Sequence, residues 1–192
     1  MLKYFFLGLF IKIITGLDDT ITHIPILASL TKRKTGRTAF ATGIFIAIIT
    51  GIILSIFLAK GIKKISYSKY ISAGLIFLLA ILIYFDVIIH KPRKKAEEKI
   101  QKISAKRLTT ILGIGFAAGI ATVLDDVIAF APLFLKNNTN NIAAITGILT
   151  AAILEILMLL YASKKIIKLK NKEKIASIGL AILGVLTLIG VV

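Results

Sequence analysis

The sequence predicts an all-α integral membrane protein of six transmembrane helices, arranged as two inverted three-helix repeats. Three observations predict this. The chain of 192 residues is 57% hydrophobic, has a mean hydropathy of +0.93 and contains neither Trp nor Cys, which is not the composition of a soluble domain. Six apolar stretches approach the about 20 residues that a helix rising about 1.5 Å per residue needs to cross about 30 Å of hydrocarbon. One polar motif occurs twice inside such stretches: Thr15-Gly16-Leu17-Asp18-Asp19-Thr20-Ile21-Thr22-His23-Ile24-Pro25 returns as Thr122-Val123-Leu124-Asp125-Asp126-Val127-Ile128-Ala129-Phe130-Ala131-Pro132.

Taken in order, the apolar segments are 2–30, 38–59, 70–89, 108–135, 142–162 and 175–192. The first begins like a signal peptide, but no small-residue cleavage site follows and the run continues into the first acid pair, so it is expected to stay in the protein. The first and fourth segments are longer than a bilayer requires, and each carries an acid pair followed by Pro25 or Pro132. Proline cannot donate to the carbonyl four residues earlier, so both helices are expected to be broken or kinked there. The domains expected are a first three-helix repeat over 1–90, a basic linker over 91–107 and a second repeat over 108–192.

The net charge of +16 would point to nucleic acid in a soluble protein. Here the basic residues lie between the apolar segments, where they set orientation and meet anionic headgroups, so nucleic acid is not an expected partner. Eighteen Lys and Arg fall in the segments 31–37, 90–107 and 163–174, on one predicted side; six fall on the other, at Lys3, Lys60, Lys63, Lys64, Lys69 and Lys136. The positive-inside rule then predicts a multi-pass protein of the cell membrane with both termini outside and the long linker cytoplasmic. Within that linker, 94–107 reads as an amphipathic surface helix with Ile100 and Ile103 as its apolar contacts. The lack of Cys excludes disulfides, thiol redox chemistry and thiolate metal sites.

The repeat extends past the acid motif. Thr42-Gly43-Ile44 returns as Thr146-Gly147-Ile148, Lys60 and Lys64 match Lys164 and Lys168, and Ser72-Ala73-Gly74-Leu75 is similar to Ser177-Ile178-Gly179-Leu180. Three spans is an odd number, so the second half must cross the bilayer in the opposite sense. Inverted repeats of this kind are the plan of many secondary transporters, with sites near mid-membrane at the interface of the halves.

Carboxylates are costly in hydrocarbon, so a duplicated acid pair marks a functional site by default. On a helix, residues three or four apart share a face, which puts Thr15, Asp18, Asp19, Thr22 and His23 on one stripe with Lys12 a turn earlier. The second copy keeps Thr122, Asp125 and Asp126 but has Ala129 and Phe130 in place of Thr22 and His23, so the site is expected to be asymmetric. The prolines leave the carbonyls of Ile21 and Ile128 without their helical donor. Carboxylates, hydroxyls and carbonyls are hard oxygen ligands of the kind that suits magnesium, manganese or calcium. His23 adds a softer nitrogen that admits zinc, cadmium, cobalt or nickel, or serves as a proton relay. Glu155, mid-span where the first half has Gly51, is a further candidate for the cavity. Lys12 reads either as the counter-charge of an Asp or as a side chain snorkelling to the nearer surface. Asp86, close to the basic linker, reads as an interfacial charge.

Six spans in two inverted halves, each with an acidic motif in its first helix, resemble the lysine exporter superfamily. The likeness is to its divalent-cation branches: cadmium-resistance transporters, manganese exporters and calcium/manganese-proton exchangers. The exchangers' Glu-x-Gly-Asp signature reads Leu-Asp-Asp here. The resemblance implies that Asp18, Asp19, Asp125 and Asp126 bind the transported cation and exchange it for protons. The expectation is therefore an exporter of a divalent cation (manganese, calcium, cadmium or similar) by proton antiport. That cation is a substrate rather than a cofactor, no other cofactor is expected, and a homodimer is left open. The alternatives are an exporter of a small organic cation or amino acid, and an intramembrane aspartyl-type enzyme, which would use two acids on different helices. Strict duplication suits alternating access better than one catalytic dyad, so the chain is read as a non-enzyme.

Overall fold

The computed structural model describes residues 1–30, 34–65, 67–84, 108–135, 138–161 and 172–190. Among these residues the chain is all-helical, with no strand. The helices are α1 (Leu2–Leu30), α2 (Lys34–Lys63), α3 (Ser68–Tyr84), α4 (Leu108–Phe130), a 3₁₀ turn (Ala131–Phe134), α5 (Asn138–Tyr161) and α6 (Lys172–Leu188). The expected linker helix over 94–107, Asp86, and Lys136, Lys164 and Lys168 of the charge pattern lie outside the described residues.

Among the described residues, three stretches are long and apolar enough to cross a membrane: Lys34–Lys63, Leu108–Phe134 and Thr139–Tyr161. The apolar parts of α3 and α6, Ser68–Leu82 and Ser177–Leu188, are shorter. α1 has 29 residues but carries Lys3, Lys12, Asp18 and Asp19 within its length. The radial distribution of polarity is the reverse of a soluble protein's. Phe6, Phe10, Ile53, Phe57, Ile81 and Leu157 point outward, while Lys12, Asp19, Asp125 and Asp126 are buried. This arrangement is compatible with an all-α protein embedded in a membrane.

The break expected at each proline occurs at one of them. α4 gives way to the 3₁₀ turn, with Pro132 at its start and Leu135 N–H donating to the Pro132 carbonyl at 3.3 Å. α1 instead continues as α-helix through Pro25 to Leu30, so of the two outcomes expected, a broken or a kinked helix, a break is found at Pro132 alone. Pro25 costs α1 one hydrogen bond, and a helix held on both sides of such a site continues across it.

Helices pack in three main pairs: α1 with α5, α2 with α4, and α3 with α6. The first two pairs are close approaches made possible by small residues, the usual way helices associate where lipid removes the hydrophobic drive. In the α2–α4 seam, a β-carbon on Gly43 would collide with the Leu112 carbonyl oxygen, and one on Gly115 with that of Phe40. In the α1–α5 seam, Gly147 meets the Phe5 carbonyl in the same way and Gly8 that of Ala144. The sequence repeat maps Gly8 onto Gly115, Phe5 onto Leu112, Gly43 onto Gly147 and Phe40 onto Ala144. The two seams therefore make the same backbone contacts at repeat-equivalent positions.

Further along, the seams differ. On α2 and α4 the small stripe continues through Ala47 and Gly51 against Gly119 and Val123, with a β-carbon on Gly119 only 2.6 Å from the Ala47 methyl. The repeat-equivalent stripe in the other seam is Ala151 and Glu155 on α5 against Lys12 and Gly16 on α1. Two glycine positions of one seam, Gly51 and Gly119, are thus occupied in the other by an acid and a base.

Candidate functional site

The site is built on that substitution. Lys12 is 1% exposed. Its Nζ lies 2.9 Å from Asp126 Oδ2, 3.1 Å from Glu155 Oε2 and 3.9 Å from Asp19 Oδ2. Three helices, α1, α4 and α5, each supply one carboxylate. Asp19 and Asp126 are equivalent in the repeat, the second acid of each pair. Lys12 is therefore the counter-charge in the site, and the snorkelling alternative is set aside.

Hydroxyl groups fix the carboxylates. The Thr15 hydroxyl is in short contact with Asp126 Oδ1 and is also 3.2 Å from the Ile11 carbonyl oxygen. The Thr20 hydroxyl lies 2.8 Å from the Gly16 carbonyl oxygen and 3.2 Å from Glu155 Oε1. Each hydroxyl has one proton to donate and stands between a carboxylate oxygen and carbonyl oxygens of α1, Thr15 also lying 3.4 Å from the Lys12 carbonyl. Gly16 completes the arrangement, because Glu155 packs directly on its α-carbon.

One ammonium among three carboxylates leaves, with all of them ionised, an excess of two negative charges. Breaking such a buried set by removing one partner is costly, commonly about 3–5 kcal/mol. Next to the cluster, between α1 and α5, is a cavity of about 130 Å³ lined by Lys12, Gly16, Thr20, Ala151, Glu155 and apolar side chains. Three of those, Ile13, Leu154 and Met158, are among the outward-facing residues of the two helices. The cavity wall is therefore almost entirely apolar, and part of it is formed by side chains that also reach the outer faces of the two helices.

The remaining candidates are placed as follows. Asp125 is buried on the turn beside Asp126. Thr122, the counterpart of Thr15, donates to the Gly119 carbonyl of its own helix at 3.1 Å instead of crossing to another helix. His23 is buried, and its ring stands edge-on to Phe40 with centroids 6.3 Å apart. Ile128 is partly buried against the core. The side chains of Asp18, Ile21 and Thr22 lie outside the described residues. Among the described residues, no group of three or more His, Cys, Asp or Glu is arranged so that it could hold a metal ion.

Sequence reading passed over Gly16 and Thr20. The signal was present: counting by 3.6 from Lys12 gives Thr15 or Gly16, Asp19 or Thr20, then His23, a stripe centred on the base rather than on the acid pair.

No family model, curated protein or solved structure matches the chain.

Proposed function

We propose that this chain is a multi-pass transporter of the cell membrane that exports a divalent cation, exchanging it for protons at the carboxylate cluster. The observation that carries the reading is the convergence of Asp19, Asp126 and Glu155, from three helices, inside a bundle whose outer faces are apolar. Intramembrane carboxylates facing a bundle interior mark ion or proton paths. The architecture proposed is six spans in two inverted halves. Its support is the pair of equivalent seams, in which Gly8 and Gly115, and Gly43 and Gly147, make the same contacts. Both termini would lie outside and the 91–107 linker in the cytoplasm.

The chemistry follows from charge. Crowded carboxylates attract either protons or a metal ion, and a divalent ion entering would expel protons that return from the other side as the ion leaves. Each main helix pair joins one half to the other, so alternate exposure of the cluster comes from the α1–α5 pair, with Lys12, Asp19 and Glu155, moving against the α2–α4 pair, with Asp126. The architectural resemblance to divalent-cation exporters supports the same reading.

One observation favours a second reading in substrate. The cavity beside Glu155 has apolar walls, which suit the hydrocarbon part of a small organic cation.

Flux into proteoliposomes decides between them. Manganese, calcium, magnesium, cadmium, zinc and cobalt are compared with short alkylammonium ions, with and without a pH gradient. Metal-dependent proton release, lost in an Asp19→Asn, Asp126→Asn double variant, is the expected result. Unchanged metal flux and proton release in that variant would rule out the carboxylate mechanism.

A further inference from the structure

We infer that Lys12 is a tethered cation that sets the charge the site accepts, so that the cluster is matched to a divalent ion and mismatched to a monovalent one. This rests on reading the cluster as the cation site. The ammonium occupies the position a transported ion would need, within 2.9–3.9 Å of one oxygen from each of Asp126, Glu155 and Asp19. A metal ion binds carboxylate oxygens at about 2.0–2.6 Å, so ion and ammonium cannot share that place. One must move.

The structure provides somewhere to move. The cavity between α1 and α5 borders Lys12 itself, and Thr20 and Glu155 also line it. Lys12 withdrawing into it, proton retained, stays paired with Glu155, whose other oxygen lies 3.2 Å from the Thr20 hydroxyl. Asp19 and Asp126, the repeat-equivalent acids, are then the two that close on the ion. Among Lys12 and the carboxylates in contact with it, the charges balance as two neutral sets: Lys12 with Glu155, and a divalent cation with two aspartates. A monovalent ion in the same place leaves one buried negative charge uncompensated, and such a charge is strongly disfavoured in low-dielectric surroundings. The position of the pair supports this division. Lys12 and Glu155 stand where the other seam has Gly119 and Gly51, so the base and the third acid are one added unit, and the two aspartates are common to both halves.

The test uses the full-length protein in detergent, with Mn²⁺, Ca²⁺ and Cd²⁺ each titrated alone by calorimetry, and Na⁺ as competitor. Glu155→Gln leaves Lys12 opposite two aspartates, one charge short for a divalent ion. It is expected to weaken divalent binding by roughly tenfold or more, the effect of about one uncompensated interior charge. The double variant Lys12→Met, Glu155→Gln removes the pair together and restores the two-charge deficit. It is expected to recover most of the lost affinity although it lacks two polar side chains. Lys12→Met alone leaves three negative charges, one more than a divalent ion neutralises, and Na⁺ is then expected to bind beside the divalent ion in place of the ammonium, as it does not in the unmodified protein. A merely structural salt bridge also recovers stability when both partners are removed, so the thermal midpoint is read beside affinity: recovery of divalent affinity without a matching recovery of the midpoint is the expected result. A double variant that binds no better than Glu155→Gln would overturn the inference and leave the cation site standing. No divalent binding by the unmodified protein would overturn the cation reading itself.

Discussion

Gly16 on α1 and Glu155 on α5 are in direct contact: a β-carbon at Gly16 would stand 2.6 Å from Glu155 Oε2 and 2.9 Å from its carboxyl carbon. The obstacle is the end of a flexible side chain, so Gly16→Ala is expected to be accommodated by rotation of Glu155 rather than by separation of the helices. The carboxylate then leaves Lys12 and Thr20. Folded yield should change little, since Ala is the better helix former by about 1 kcal/mol, while cation flux in proteoliposomes falls roughly tenfold or more. Normal flux in a well-folded Gly16→Ala variant would count against a role for Glu155.

The seam glycines should respond in the opposite way. At Gly43 and Gly115, and at Gly8 and Gly147, the obstructing atom is a backbone carbonyl oxygen of the facing helix, which cannot rotate aside. Alanine at any one of them forces the helices apart and is expected to cost about 1–3 kcal/mol. Thermal unfolding in detergent reads this as a clear drop in midpoint. Equivalent positions, such as Gly43 and Gly147, should give similar losses.

Removing charges one at a time should rank the acids by contact. Asp126→Asn takes away the carboxylate nearest Lys12, at 2.9 Å, and is expected to lower stability by about 3 kcal/mol, near the lower end for a broken buried pair because Glu155 remains. Asp19, at 3.9 Å, should cost less. Both substitutions should abolish proton-coupled metal flux, because Asn can neither ionise nor carry the proton. Equal stability loss at the two sites would contradict the observed geometry.

Orientation is testable without background labelling, as the chain contains no Cys. A single Cys at position 95 should react with impermeant reagents only from the cytoplasmic side. Cys at Lys3 should react only from outside. Labelling of position 95 from outside would reverse the topology.

Much of this arrangement was legible in the sequence. A duplicated acid pair within apolar segments is conspicuous because lipid makes such groups expensive; it singled out Thr15, Asp19 and Asp126, while Glu155 stood out separately as a lone acid mid-span. Lys12 could be recognised as unusual but not assigned, because snorkelling and burial differ only in which helix lies alongside. That is a tertiary fact, and the pairing of α1 with α5 supplies it. The same holds for Gly16 and Thr20: a glycine and a threonine in an apolar helix become informative only when Glu155 is seen against them. The continuity of α1 through Pro25, with a break at Pro132 alone, was not legible either, because both prolines remove the same hydrogen bond.

The divergence of the two seams has a historical consequence. Where one carries Glu155 against Gly16, the other carries Gly51 against Val123, whose methyl fills the space over the glycine. A half-length ancestor pairing with its own copy would have had to place the same residues in both seams, with two acids and two bases facing each other or none at all. On the two-repeat reading proposed above, only two copies free to diverge could give one seam the charges and leave the other a plain structural joint, and from then on neither half could be replaced by a copy of its sibling.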